Sequence, residues 1–208
     1  SGRVAIVTGS NTGIGFEDAK ALAMRGATVI LAVRNPQKGQ DAVQRILGAQ
    51  PKGSAEVMEL DLANLSSVRT FADAFKERFD RLDLLVNNAG VMMPPLSKTA
   101  DGFELQFGTN HIGHFALTGL LMERLVATRG SRVVNVSSMA HKWGDIDFDD
   151  LNWEKRRYKK AGSYGQSKLA NLLFTFELQR RLDAAGADTI AVAAHPGWTA
   201  TDLQRHTG

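Results

Sequence analysis

The stretch Ser163-Tyr164-Gly165-Gln166-Ser167-Lys168 sets a phenol and an ammonium four positions apart, ahead of a run from Leu169 to Leu182 with apolar residues at helical spacing. Residues at i and i+4 share one face of a helix. An unperturbed phenol, with a pKa of about 10, is too weak a base for neutral pH. A positive charge about 4 Å away, at an effective dielectric constant of about 20, is worth roughly 4 kcal/mol. That lowers the phenol pKa by up to about 3. The spacing therefore predicts a general acid/base drawn toward working pH. The chain's other tyrosine, Tyr158, has Gly162 at i+4 and no such partner. Upstream, Ser137 and Ser138 close the run Val-Val-Asn-Val-Ser-Ser, and the Ser138 hydroxyl can donate a hydrogen bond to a substrate oxygen.

A second group of residues suits phosphate. Thr8-Gly9-Ser10-Asn11-Thr12-Gly13-Ile14-Gly15 joins an apolar run to a helical pattern. Gly9, Gly13 and Gly15 serve a tight turn, close approach of a ligand and packing of helix on strand. The helix that follows offers unpaired N–H groups and the positive end of its dipole to a pyrophosphate. Next, at the end of the second apolar run, where an acid ordinarily takes the ribose hydroxyls of NAD, stands Arg34. A guanidinium there can fork onto a 2′-phosphate, which favours NADP(H) over NAD(H); the plainer reading is a solvated loop arginine. Asn88, Ala89 and Gly90 follow the fourth run, small enough for a ribose to pack down, with Asn88 able to tie neighbouring strand ends. Asp61 and Leu62 follow the third, and Asp61 suits the adenine end of a dinucleotide or the start of the next helix equally well.

These groups need a frame. Val4–Thr8, Thr28–Val33, Glu56–Leu60, Leu82–Val86, Arg132–Val136 and Thr189–Ala194 read as short strands apolar on both faces, as in a parallel sheet covered on both sides. Helical patterns over Phe16–Arg25, Lys38–Leu47, Ser66–Phe79, Phe103–Ala127 and Tyr164–Ala185 alternate with them. The alternation predicts one α/β domain over residues 1–208, a Rossmann-type doubly wound sheet with its crevice between the first and fourth strands. Met139–Gly162, acidic and then basic, reads as the one irregular region, an insertion over an edge of the site. A sequence without cysteine excludes disulfides, thiolate metal sites and cysteine nucleophiles. A net charge of +3, whose main local source is the short run Lys155-Arg156-Arg157 with Lys159-Lys160, gives no nucleic-acid signature. No apolar run approaches the roughly 20 residues of a membrane helix, and no signal-peptide layout opens the chain, so the expectation is a cytoplasmic protein.

Taken in order, Thr-Gly-Ser-Asn-Thr-Gly-Ile-Gly, Asn-Asn-Ala-Gly, the Asn110 of Thr-Asn-His-Ile-Gly-His-Phe, Val-Ser-Ser, Tyr-Gly-Gln-Ser-Lys and His-Pro-Gly-Trp-Thr-Ala-Thr-Asp resemble the short-chain dehydrogenase/reductase family over essentially the whole chain. The details are most similar to its retinol-dehydrogenase-like branch. The resemblance implies hydride transfer between a nicotinamide cofactor, usually NADP in this branch, and an alcohol or carbonyl. It implies that Tyr164 gives or takes the proton, and that Lys168 lowers the Tyr164 pKa and holds the nicotinamide ribose. Ser138 would orient the substrate oxygen, and Asn110 would hold a water that relays protons through Lys168. It further implies that the segment of Pro196, Gly197, Thr199 and Thr201 meets the carboxamide and phosphate. The family continues into a substrate lid and a seventh strand; residues up to Gly208 lack that final strand, and a piece of a longer chain is one expectation.

Other readings have less behind them. His111 and His114, three apart, could suit a metal but have no evident third ligand, so packing or solvent is expected. A non-enzymatic NADP(H)-binding regulator on the same scaffold is the main rival, because fold alone does not give function. Intact Asn110, Ser138, Tyr164 and Lys168 argue against it. An isomerase or epimerase of the extended family is a second rival. Apolar Val91, Met92 and Met93 point to an apolar small-molecule substrate. The direction of reaction and any homo-oligomer stay open.

Overall fold

A computed structural model describes residues 2–197. Six strands, β1 (Val4–Thr8), β2 (Thr28–Val33), β3 (Ser54–Glu59), β4 (Leu84–Asn87), β5 (Arg132–Val136) and β6 (Ile190–Ala194), form one sheet in the order β3-β2-β1-β4-β5-β6. Every neighbouring pair is parallel. The order reverses between β1 and β4, as predicted, so a crevice opens at the carboxyl ends of those two strands.

Alternation of side chains along each strand feeds two cores. Ile6, Ile30, Leu85 and Val133 pack on one face with Phe71, Phe75, Leu117 and Leu178. Ala5, Val7, Val29 and Leu31 pack on the other with Phe16, Ala19, Val43 and Ile46. The first face is covered by α3 (Leu65–Arg78), the helical run that begins with α4 (Leu105–Phe107), and α7 (Lys160–Ala184); the second by α1 (Gly13–Met24) and α2 (Pro36–Gly48). The starts of α2 and α3 are set by Asn35, which accepts from Lys38 N, and Asn64, which accepts from Ser66 N and Ser67 N.

A buried polar ladder crosses the first core. Asn87 Nδ2 donates to Asn135 Oδ1 at 2.8 Å and to Thr118 Oγ1 at 3.0 Å, and Asn135 Nδ2 donates to Thr175 Oγ1 at 2.9 Å. Asn87 and Asn135 are register partners on β4 and β5.

Three expectations need correction. The helix expected over Phe103–Ala127 is divided into α4, a π-helical turn at Gly108–Ile112, α5 (Gly113–Leu120) and α6 (Met122–Ala127). Glycines open the π turn and follow it, where neighbours leave no room for a side chain. A Cβ on Gly113 would lie 2.5 Å from the Leu62 carbonyl oxygen, and one on Gly108 would lie 2.4 Å from Thr99 Cγ2. Helix α7 starts one turn earlier than Tyr164: Ser163 N donates to Lys159 O at 2.9 Å, and the Trp153 ring fills the space that a side chain at Gly162 would take. Finally, Met139–Gly162 is not the one irregular region. The chain between β4 and α4 also lacks helix or strand apart from a bridge between Lys98 and Glu104, whereas Met139–Trp143 forms a 3-10 helix packed on α7.

Candidate active site

Tyr164 and Lys168 lie on successive turns of α7, and both are buried. Lys168 Nζ donates to the Val136 carbonyl at the end of β5, 3.0 Å away, and sits 5.6 Å from the centre of the Tyr164 ring. Burial pulls the Lys168 ammonium down to about 8. Burial also pushes the Tyr164 phenol above its ordinary value, against a hydrogen bond from Ser138 that pulls it the other way. The expected lowering of the phenol by Lys168 is therefore not supplied by the protein's own groups. Loss of hydration outweighs an ammonium that points to Val136 and carries a weakened hold on its own proton. Ser138, half-buried past β5, accepts from Ala140 N at 3.2 Å, which leaves its proton for the phenol.

Asn110 is fully buried in the π turn. Its Oδ1 accepts from Val91 N at 2.8 Å, while Nδ2 donates to Val91 O and to Ser167 Oγ, both at 3.0 Å. The amide thus joins the loop after β4 to the turn of α7 that carries Lys168. The backbone carbonyl of Asn110 meets His114 Nδ1 at 3.0 Å, and His114 Nε2 meets Thr8 Oγ1 at 2.9 Å. A carbonyl can only accept, so the proton sits on Nδ1 and Thr8 donates to Nε2. Thr8 Oγ1 in turn accepts from Asn88 N at 3.0 Å and Ala89 N at 2.9 Å. Burial drives the His114 pKa down to about 4, which keeps the ring neutral. His111 instead bonds Asn171 and stacks among Phe107, Phe115 and Phe174. Both histidines are packed rather than solvated, and among the described residues no group of three or more histidine, aspartate or glutamate side chains could hold a metal.

The glycine turn folds against the end of β4. Gly9 (φ +64°) lies so close to Ala89 that a Cβ would fall 2.9 Å from the Ala89 Cα, and one on Gly15 would fall 2.4 Å from Asn88 Nδ2. Asn88 Nδ2 donates to Thr8 O at 2.8 Å, tying the two strand ends together. Gly13 also takes a positive φ of 59°, and the start of α1 has no side-chain cap, unlike α2 and α3. Its first amides are free to meet an anion beside half-buried Asn11 and Ile14 and exposed Thr12. Ser10 differs: its hydroxyl is buried and donates to Val7 O at 2.8 Å, so it shapes the turn. Arg34 is exposed past β2 and has no ion pair or hydrogen bond among the described residues. Asp61 Oδ1 accepts from Ala63 N at 2.9 Å, and the Leu62 side chain is buried in the core. Gly90 faces Asn110 and Lys168, which would lie 3.2 and 3.8 Å from a Cβ there. Pro196 and Gly197 are exposed beyond β6; Thr199 and Thr201 lie outside the described residues. A cavity of about 400 Å³ beneath this end is lined by Ile14, Asp18, Val86, Val136 and Pro196, and by none of Asn110, Ser138, Tyr164 or Lys168.

One buried group gave only a faint signal in the sequence. Glu104 Oε1 accepts from Gln106 N at 2.9 Å and from Tyr158 Oη at 3.0 Å; Oε2 accepts from Phe107 N at 2.8 Å and from Ser163 Oγ at 2.7 Å. Tyr158 also accepts from Gln106 Nε2 at 2.9 Å, and burial next to the Glu104 charge pushes its phenol up to about 12. Tyr158 is thus a structural phenol rather than an inert one. Glu104 stands in Asp-Gly-Phe-Glu-Leu-Gln-Phe, where an acid between apolar residues is the only hint.

The family model for short chain dehydrogenases matches residues 3–208. Human "Retinol dehydrogenase 13" is 51% identical over 207 residues, covering 100% of this chain but only 62% of that protein's length. The crystal structure of an uncharacterized protein from Mycobacterium Paratuberculosis is 54% identical, with a TM-score of 0.86, covering 98% of this chain and 71% of that one. The Pseudomonas aeruginosa RhlG/NADP active-site complex is 27% identical, with a TM-score of 0.79, covering 99% and 76%.

Proposed function

On the premise that the chain belongs to the short-chain dehydrogenase family, in its retinol-dehydrogenase-like branch, we propose that it moves a hydride between NADP(H) and an alcohol or carbonyl with Tyr164 as the general acid/base. The family supports the coarser statement, an oxidoreductase that binds a nicotinamide cofactor. The observation that carries the finer one is the buried Tyr164–Lys168 pair on one face of α7, 5.6 Å from ammonium to ring centre.

The cradle suits a dinucleotide: glycines where a Cβ would strike Ala89 and Asn88, an uncapped helix start, and, at the end of β2, a guanidinium with no partner among the described residues. Gly9, Gly13, Ile14 and Gly15 would hold the pyrophosphate, Asn88–Gly90 the ribose, and Arg34 the 2′-phosphate that selects NADP over NAD. When bound, the nicotinamide supplies or accepts the hydride. For carbonyl reduction, Ser138 and Tyr164 both donate to the substrate oxygen, and Tyr164 gives up its proton as the alkoxide forms. The raised Tyr164 pKa keeps that proton in place until it is needed. Lys168, poised near 8, can pass a replacement proton toward the phenolate. Alcohol oxidation runs the same steps backwards. Half-buried Val91, Met92 and Met93 favour an apolar substrate.

The test is NADPH consumption with a panel of straight-chain and aromatic aldehydes and ketones. Turnover that Tyr164→Phe lowers by about a hundredfold or more, with NADPH affinity little changed, is expected. Substantial activity in Tyr164→Phe would overturn the assignment, and cofactor binding without any turnover would favour a regulator.

A further inference from the structure

We propose that Glu104 is a positioning residue: with Asn110 it forms a two-point clamp that sets where Tyr164 stands. This rests on the functional reading above. Glu104 caps the start of α4, and Asn110 lies in the π turn that continues it. They grip α7 on either side of Tyr164. Glu104 takes the Ser163 hydroxyl at 2.7 Å, one residue before the tyrosine. Asn110 reaches Ser167 Oγ at 3.0 Å, and that hydroxyl donates to the Tyr164 carbonyl at 2.8 Å. Phenol placement is thereby fixed both along the axis of α7 and around it.

A helix cap alone does not explain the residue type. Serine or asparagine would satisfy the first amides of α4 without a charge in the interior, and no ion pair involving Glu104 occurs among the described residues. What a carboxylate adds is room for four donors at one point. Two are used by Gln106 N and Phe107 N, and the other two gather hydroxyls from separate segments, Tyr158 on the loop and Ser163 on α7. Hydrogen bonds to an ionised acceptor are shorter and stronger than neutral ones, which suits a joint that must not drift. Gln106 extends the same joint: its Oε1 accepts from Met93 N at 2.9 Å, and its Nε2 donates to Lys160 O at 3.0 Å, so the loop bearing Val91–Met93 and the first turn of α7 are held from one place.

The experiment measures kcat, NADPH affinity and thermal unfolding for the unsubstituted chain, Glu104→Gln, Ser163→Ala, the double variant and Tyr164→Phe, using the fastest aldehyde of the panel. An amide must turn one donor toward another donor, so Glu104→Gln is expected to lower kcat by about tenfold or more, because small misplacement of a reacting group is costly, while NADPH affinity changes by less than about twofold. Ser163→Ala should lower kcat in the same way. Because the two residues share the Glu104–Ser163 bond, their effects on kcat should fall short of multiplying by about threefold or more. Effects that multiply more nearly than that, or an unfolding temperature that drops while kcat holds, overturn the clamp and leave the function intact. Should Glu104→Gln not fold, Ser163→Ala decides: kcat lowered at constant NADPH affinity supports the clamp, and unchanged kcat overturns it. No turnover in the unsubstituted chain, or turnover that survives Tyr164→Phe, removes the functional reading and the clamp with it.

Discussion

Lys168 stands one turn beyond Tyr164 on α7, yet its ammonium is aimed at the carbonyl of Val136 and lies 5.6 Å from the centre of the tyrosine ring. The two groups share a dry site in which each charged form is penalised. The chain has two tyrosines, and burial raises both, Tyr158 to about 12. At pH 10 an unfolded chain should be about half ionised at each phenol, whereas the native protein should show less tyrosinate absorbance than that. A phenol raised in the fold contributes stability fully below the unfolded value of about 10 and loses it as pH rises toward the folded value. Spectrophotometric titration checks this; a native phenol that ionises below its ordinary value would contradict the balance described for Tyr164.

Arg34 should decide between cofactors. Replacing it with alanine is expected to weaken NADPH binding by about ten- to a hundredfold, the worth of charge-assisted hydrogen bonds to a phosphate, and to leave NADH binding nearly unchanged. Calorimetric titration of both cofactors reads this directly. Equal affinities in the unsubstituted chain would remove the assignment of Arg34.

Acid should loosen the fold through His114. Its folded pKa of about 4 lies below the ordinary 6.5, so the unfolded chain takes up a proton first. Stability is then fully present above about pH 6.5 and falls as pH drops toward 4, by about 3 kcal/mol from this ring, with His111 adding in the same sense. Urea unfolding across that range should show the decline, and His114→Asn should flatten it. An equal slope in both proteins would show that other groups carry the acid sensitivity.

Gly15→Ala should damage the cradle rather than merely stiffen α1. The new methyl would lie 2.4 Å from Asn88 Nδ2 and 2.9 Å from the Gly9 carbonyl oxygen, so the turn and the end of β4 must part. A loss of about 1–3 kcal/mol in stability together with weaker NADPH binding is expected, against near neutrality for Gly48→Ala, which meets nothing within 4 Å. Thermal unfolding and fluorescence titration of the two variants make the comparison.

What could be read from the chain alone divides by distance. Most strands were legible because they are short apolar runs, β3 with its two glutamates being the exception, and the glycine turn and the Tyr164–Lys168 spacing are local patterns. The start of α7 was not, because Gly162 reads as a breaker until Trp153 is known to fill the space beside it. The break after Phe107 depends on Leu62 and Thr99 pressing against Gly113 and Gly108. Glu104 and His114 were missed as site residues for the same reason: their partners, Ser163 and Thr8, are 59 and 106 positions away. The sign of the Tyr164 shift escaped because a spacing shows the ammonium but not the loss of water around both groups.

The Asn87–Asn135 pair acts as a proofreading device for the sheet. Apolar strands of valine, isoleucine and leucine could pair equally well one or two residues out of step, since greasy contacts are tolerant of sliding. Two carboxamides facing each other inside the core are not, because any slip strands an amide among hydrocarbon at a cost of about 1–3 kcal/mol. The alignment that survives is the one that brings Asn88–Gly90 level with Ser137 and Ser138 at the carboxyl ends of β4 and β5. A pair of residues buried in the core thereby determines that the segment after β4 and the serines after β5 arrive at the same height.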